Sequence, residues 1–385
     1  MKTINFKNLK WIGSVFFLTL LTNCTDQAKS QPAYVPASRE ARKIQIALLL
    51  DTSNSMDGLI DQAKSQLWSI VNELARAKCG NEKPVLQIAL YEYGNDNLPS
   101  SEGYIRMVTP LTSDLDEISK DLFELRTNGG SEFCGEVIHT SLKQLDWSKS
   151  DKYLQLIYIA GNEPFTQGRT NYQTACADAR EKGVIINTIF CGNFNEGINT
   201  SWKHGADLTG GCYASIEQNR KTVYIESPYD KRIVKLNRQL NNTYIPYGTI
   251  GYEKKALQAE QDANASHYGS VNSVKRAVSK SSHVYNNRSW DLVDAAEEED
   301  FSIDKIKTTD LPAEMQKMDR EERTEYIVQK AEERNKISKE IQELNRKRAE
   351  YVTEHSTADE NEGMLDKAIL SSLKEQAKTR NFVIE

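Results

Sequence analysis

Ile44-Gln45-Ile46-Ala47-Leu48-Leu49-Leu50-Asp51-Thr52-Ser53-Asn54-Ser55-Met56 decides how the rest of this 385-residue chain is read. The nearly continuous apolar run from Ile44 to Leu50 is the pattern of a central parallel strand buried on both faces. It stops at a polar loop that places one carboxylate and two hydroxyls at alternate positions, Asp51, Ser53 and Ser55. Leu59, Ile60, Ala63, Leu67, Ile70, Val71 and Leu74 then recur at helical spacing, so Leu59 to Lys78 reads as a helix laid on one face of a sheet.

Working outward, the alternation continues to about Ile216. Val85 to Tyr93 and Tyr104 to Val108 read as a strand pair, Leu115 to Leu125 and Glu132 to Leu145 as helices, and Tyr153 to Ile159 as the most apolar strand of the chain. A helix over Asn171 to Lys182, a strand over Val184 to Phe190, a short helix near Ser201 to Leu208 and a strand over Tyr213 to Ile216 follow. Repeated strand-helix units imply an α/β fold with a doubly wound, mostly parallel sheet. In such sheets ligands bind beyond the C-terminal strand ends, which is where Asp51 falls.

Three hard oxygens converging from a strand tip suit Mg²⁺, with Mn²⁺ or Ca²⁺ as alternatives. This strand, motif and helix resemble the von Willebrand factor A family over roughly Lys43 to Asn219. The resemblance implies a Rossmann-like sheet and a metal-ion-dependent adhesion site opened by Asp51, Ser53 and Ser55. It also implies a further hydroxyl from a second loop, placed here at Ser131 within Thr127-Asn128-Gly129-Gly130-Ser131-Glu132, and an Asp from a third loop. That third loop reads Ala160-Gly161-Asn162-Glu163-Pro164-Phe165, which puts Asn162, or with a one-residue shift Gly161, at the Asp position. Asn162 brings an amide oxygen but no charge, so the site loses one negative charge unless Glu132 or Glu163 supplies it. Members with such a site commonly engage a protein partner whose Asp or Glu completes the metal shell. The competing reading of Ser53 or Ser55 is a plain helix cap. An aspartic-protease reading of Asp51-Thr52-Ser53 fails, because that chemistry needs a second such triplet and none occurs.

Catalytic signatures are missing: there is no HExxH, Walker loop or GxSxG, and the five histidines are scattered. We therefore expect a binding protein, not an enzyme. The formal charge of −6 and the lack of a concentrated Lys/Arg face argue against nucleic acid. Lys2, Lys7 and Lys10, the apolar run Trp11 to Leu21 and then Cys24 resemble a lipoprotein signal, with residues 1–23 cleaved, Cys24 lipidated and residues 24–42 a flexible tether. Losing those lysines takes the charge to about −9. The expected location is the bacterial envelope, extracytoplasmic, with the membrane touched only through the lipid. In that compartment Cys79, Cys134, Cys176, Cys191 and Cys212 are expected to form one or two disulfides.

Beyond residue 219 the composition changes. Residues 220–300 mix helical and extended patterns, and Trp290, Leu292 and Val293 mark Tyr285 to Val293 as a segment that docks on another element. Residues 301–385 read as a charged helical tail, with a long helix over Glu321 to Val352 paired as a hairpin with Met364 to Phe382. The alternative function follows from this tail: a structural, envelope-assembly protein that interacts through its helices, its metal site vestigial.

Overall fold

The computed structural model describes residues 42–80, 82–150, 152–220, 224–356 and 364–384. The signal segment, the lipidation residue Cys24 and, Arg42 apart, the tether lie outside them. In chain order the elements are β1 (Lys43–Asp51), α1 (Asp57–Leu74), β2 (Ala77–Lys78), β3 (Val85–Tyr93), β4 (Ile105–Thr112), α2 (Leu115–Glu124), α3 (Cys134–Gln144), β5 (Leu154–Gly161), α4 (Tyr172–Glu181), β6 (Ile185–Cys191), α5 (Phe194–Asn199), α6 (Trp202–Asp207) and β7 (Tyr213–Ile216). They continue with α7 (Asp230–Asn241), α8 (Gly251–His267), α9 (Ser270–Lys280), α10 (Leu292–Ala295), α11 (Arg320–His355), α12 (Leu365–Thr379) and β8 (Val383–Ile384).

The six-stranded sheet runs β4-β3-β1-β5-β6-β7, and β4 is its antiparallel member. The α/β, mostly parallel, doubly wound fold expected from the sequence is thus the observed one, followed by a helical C-terminal region. β1 lies at the centre, paired with β3 on one side and β5 on the other, so the chain reverses its direction of travel across the sheet there. That reversal opens the crevice beyond the tip of β1.

Side chains of β1 alternate between two cores. Ile44, Ile46, Leu48 and Leu50 join the core under α1, whereas Ala47 and Leu49 join the core under α3, α4 and α6. A strand buried on both faces has no solvent-facing side, which is why its run is apolar but for Gln45, itself buried and hydrogen-bonded to Gln87. On the first face the C-terminal region adds a further layer. Ile233, Leu236 and Leu240 of α7, Val274 and Ala277 of α9, and Ile337 and Ile341 of α11 belong to the same apolar cluster as α1.

The expected hairpin between the last two helices does not form. α12 packs on α1 and the sheet, with Leu365, Ile369, Leu373 and Ala377 buried there. The Tyr158 hydroxyl lies 3.0 Å from the Ser372 hydroxyl, and Asn187 Nδ2 donates to Gln376 Oε1 at 3.0 Å. The cause is supply of apolar surface: α11 buries only Ile327, Ile337, Ile341 and Arg348 along 36 residues, too thin a stripe to cover α12. The sheet offers a full apolar face. β8 then pairs antiparallel with β2, tying the chain end to the exit of α1. No helix among the described residues is long and apolar enough to cross a membrane.

Candidate metal centre

Asp51 is the last residue of β1 and is fully buried. The loop after it is held from both sides: Thr52 N donates to Tyr93 O at 2.9 Å, and Asn128 N donates to Thr52 O at 3.0 Å. Ser53 N donates to Asp51 Oδ1 at 2.7 Å, leaving Asp51 Oδ2 buried with no partner. The Ser53 and Ser55 hydroxyls lie 3.2 Å apart, and neither Ser53 nor Met56 makes a side-chain cap bond to the helical turns that follow. The plain helix-cap reading of these serines is therefore not what the structure holds.

The second loop reaches Asp51 because Gly130 has a φ of +131° and sits so close to β3 that an added Cβ would fall 1.6 Å from Gly94 O. Only glycine fits there. Ser131 follows, half-buried, and none of its hydrogen bonds joins it to Asp51, Ser53 or Ser55 among the described residues. The neighbour of Ser131 makes that contact instead. Glu132 is 3% exposed, its carboxyl shares a hydrogen bond with Asp51 and another with Ser53, and Glu163 N donates to Glu132 Oε2 at 3.3 Å.

From the third loop, Gly161 closes β5 where an added Cβ would fall 2.5 Å from the Tyr93 hydroxyl and 3.2 Å from Asp51 Oδ2, so the missing side chain makes room for both. Asn162 reaches the cluster: its Nδ2 donates to Ser55 Oγ at 3.2 Å, and its Oδ1 is buried without a partner. Asp51, Ser53, Ser55 and Asn162 are thus brought together, Ser131 is adjacent, and Glu132 enters as an acidic member. The sequence signal for Glu132 was an acid directly after the Gly-Gly-Ser turn.

Burial pushes the Asp51 carboxyl well above the usual range, reinforced by its hydrogen bond to Glu132 and by that residue's charge. Burial likewise raises Glu132, with repulsion from Glu163 adding to it. Two like charges side by side without water are unfavourable, and a cation between them removes the conflict. The donor set fits: two carboxylates, two hydroxyls and an amide oxygen are hard ligands suited to Mg²⁺, Mn²⁺ or Ca²⁺. No cluster of three or more His, Cys, Asp or Glu arranged for a metal occurs among the described residues.

The cysteines depart from expectation. All five among the described residues are free thiols, spread over the fold: Cys79 follows β2, Cys134 opens α3, Cys176 lies in α4, Cys191 closes β6 and Cys212 precedes β7. Burial raises the thiols of Cys134 and Cys191, near the site, well above their usual range, which makes them unreactive.

A family model described as von Willebrand factor type A domain matches residues 45–199. Among solved structures, the chain is similar to the SpRpn10 VWA domain, at 17% identity over 46% of this chain and 88% of that one, with a TM-score of 0.35. It is similar to the conserved hypothetical protein BatB from Bacteroides thetaiotaomicron, at 14% identity over 45% and 90%, TM-score 0.35. Proximal thread matrix protein 1 from the mussel byssus, with a zinc-occupied MIDAS motif, matches at 14% identity over 46% and 42%, TM-score 0.34. No curated protein matches the chain.

Proposed function

Because residues 45–199 are a von Willebrand factor type A domain, generally a non-enzymatic interaction module, we propose that this chain binds a protein partner through a divalent cation held at the tip of β1. Asp51, Ser53, Ser55 and Asn162 hold the cation, Mg²⁺ in the first place and Mn²⁺ or Ca²⁺ otherwise. Glu132 contributes the second negative charge, which Asn162 does not carry. Ser131 stands beside them as a further hydroxyl. When bound, the ion supplies a positive centre that an Asp or Glu of the partner completes.

The observation that carries this reading is the pair of buried oxygens without partners, Asp51 Oδ2 and Asn162 Oδ1, on the two side chains that hydrogen-bond to Ser53 and Ser55, whose hydroxyls lie 3.2 Å apart. Buried polar atoms are rarely left unpaired, and at this position the shortage is of a donor or a cation. The surface around the site agrees. Phe194 is 50% and Ile198 38% exposed on α5, at the same end of the sheet, an apolar contribution to a partner-facing rim. Residues 1–24 support export and lipidation at Cys24, so the partner is met outside the cytoplasm, from an envelope membrane.

Titrating Mg²⁺ and Mn²⁺ calorimetrically into the wild type and Asp51→Ala tests the centre. Saturable binding lost in the variant is expected, and equal heats in both proteins overturn it. Capture of envelope proteins with and without chelator then tests the partner, and chelator-insensitive capture counts against the metal's part in it.

A further inference from the structure

At the opposite end of the sheet from Asp51, where β3 begins, lies a cavity of about 510 Å³ between Lys83 to Leu86, the turn from β4 into α2, and the docking segment His283 to Trp290. Two side chains on that segment present buried atoms with no partner, Asn287 Nδ2 and His283 Nε2.

Their hydrogen-bonding characters are fixed by what their other atoms do. Asn287 is 7% exposed, and its Oδ1 accepts from Trp290 Nε1 at 3.1 Å, so the unpaired group is the NH₂ donor. The other ring nitrogen of His283 bonds the Pro84 backbone, which has a carbonyl and no N–H, so that nitrogen carries the proton. Burial, with Lys83 nearby, holds the imidazole neutral down to about pH 4, which leaves Nε2 as a bare acceptor. A fixed donor and a fixed acceptor four residues apart are the complement of one peptide unit, whose C=O accepts and whose N–H donates. At the rim, Arg288 is paired with Glu298, while exposed Lys83 has no ion-pair partner among the described residues. Pro84 and the indole of Trp290 supply an apolar wall.

We propose that this cavity binds a short peptide by its free C-terminal end, the last peptide unit bonding Asn287 and His283 and the carboxylate meeting Lys83. The volume is that of an ordinary small-ligand site and accommodates two or three small residues. The site is separate from the metal centre and does not depend on it.

The test uses the full chain and the probe N-acetyl-Ala-Ala, as the free acid and as the C-terminal amide, by calorimetry with chelator present. Saturable binding of the acid is expected, with the amide weaker by about fivefold to tenfold, the worth of a charge-assisted hydrogen bond. Lys83→Ala, an exposed change that leaves the fold intact, erases the preference for acid over amide. His283→Leu weakens both forms by about tenfold, provided its thermal unfolding matches the wild type. No saturable binding up to about 10 mM, where only very weak sites remain empty, means the cavity holds water alone and overturns the proposal. An acid preference unchanged in Lys83→Ala overturns it as well.

Discussion

Two regions of this molecule bury charge, and they do so in opposite ways. Under the C-terminal helices, Arg276 is fully buried against Asp116 at 2.8 Å and Asp262 at 2.5 Å, and its guanidinium lies 4.6 Å from the centre of the Trp68 ring. Lys280 joins Asp262 at 3.0 Å, and nearby Arg334 bonds Asp291 at 2.7 Å and Asp294 at 2.6 Å. Every carboxylate there has its cation. At the tip of β1 the buried carboxylates Asp51 and Glu132 face each other with no protein cation between them. The first region is finished by folding; the second is the one that the proposed cation would finish. Compensated buried charge fixes the layers to one another, and uncompensated buried charge marks the place where a ligand binds.

The comparison can be broken most severely by ending the chain after Pro312. That removes Arg334, leaves Asp291 and Asp294 unpaired and uncovers the sheet face under α12; we expect loss of cooperative unfolding for the whole protein, measured by circular dichroism. Arg276→Met comes next. It strands Asp116 and Asp262 without their guanidinium, and urea denaturation should register a loss of about 3–5 kcal/mol.

Glu132→Gln separates the regions most sharply. Because it removes one of two like charges, the metal-free protein should unfold at the same or a higher temperature. Cation at 100 times the dissociation constant should stabilise the wild type by about 2.7 kcal/mol and the variant far less. Equal shifts in thermal melts with Mn²⁺ would remove Glu132 from the site.

The smallest effect is on pH. Burial lowers the Lys280 ammonium to about 8, outweighing the attraction of Asp262 and Asp116, while Arg276 pushes the same way and Asn241 and the Tyr244 ring stand beside it. The unfolded chain therefore holds this proton longer than the folded one, so Lys280 by itself contributes a rise of stability with pH above about 8, with a slope of at most ~1.4 kcal/mol per unit, and Lys275, also lowered by burial to about 8, acts in the same sense. The thiols of Cys134, Cys176, Cys191 and Cys212, raised by burial, oppose it once unfolded thiols ionise near 8.5, and buried Tyr93, Tyr244 and Tyr285 add to them once unfolded tyrosine ionises near 10, so the net stability falls with pH above about 8.5. Lys280→Met, which removes an opposing contribution, should steepen that fall in urea denaturation followed against pH.

The fold was legible because β1 and β5 are apolar runs and α1 has a clean helical stripe, patterns that depend only on neighbours along the chain. Asp51, Ser53 and Ser55 were legible for the same reason, since one loop presents all three. Glu132 was legible only as an alternative to Glu163, because its contact with Asp51 exists only once Gly130 folds against Gly94. Arg276 was equally hidden, since a charged residue in a polar helix reads as solvent-facing until three acidic or aromatic partners from α1, α2 and α8 surround it. The destination of α12 was misjudged because a hairpin is the nearest local partner, whereas the sheet is a distant one with more apolar surface.

The clasp between β2 and β8 also sets the order of events as the chain is made. β1 is among the first segments to emerge, yet the face it shares with α1 stays wet until Leu365–Thr379 arrives and Val383 pairs with Lys78. A growing chain therefore lacks the part of this apolar cover that α12 supplies until residues 365–379 have been made. On the export route proposed above, late closure of this kind would keep the strand competent for passage and postpone folding to the far side.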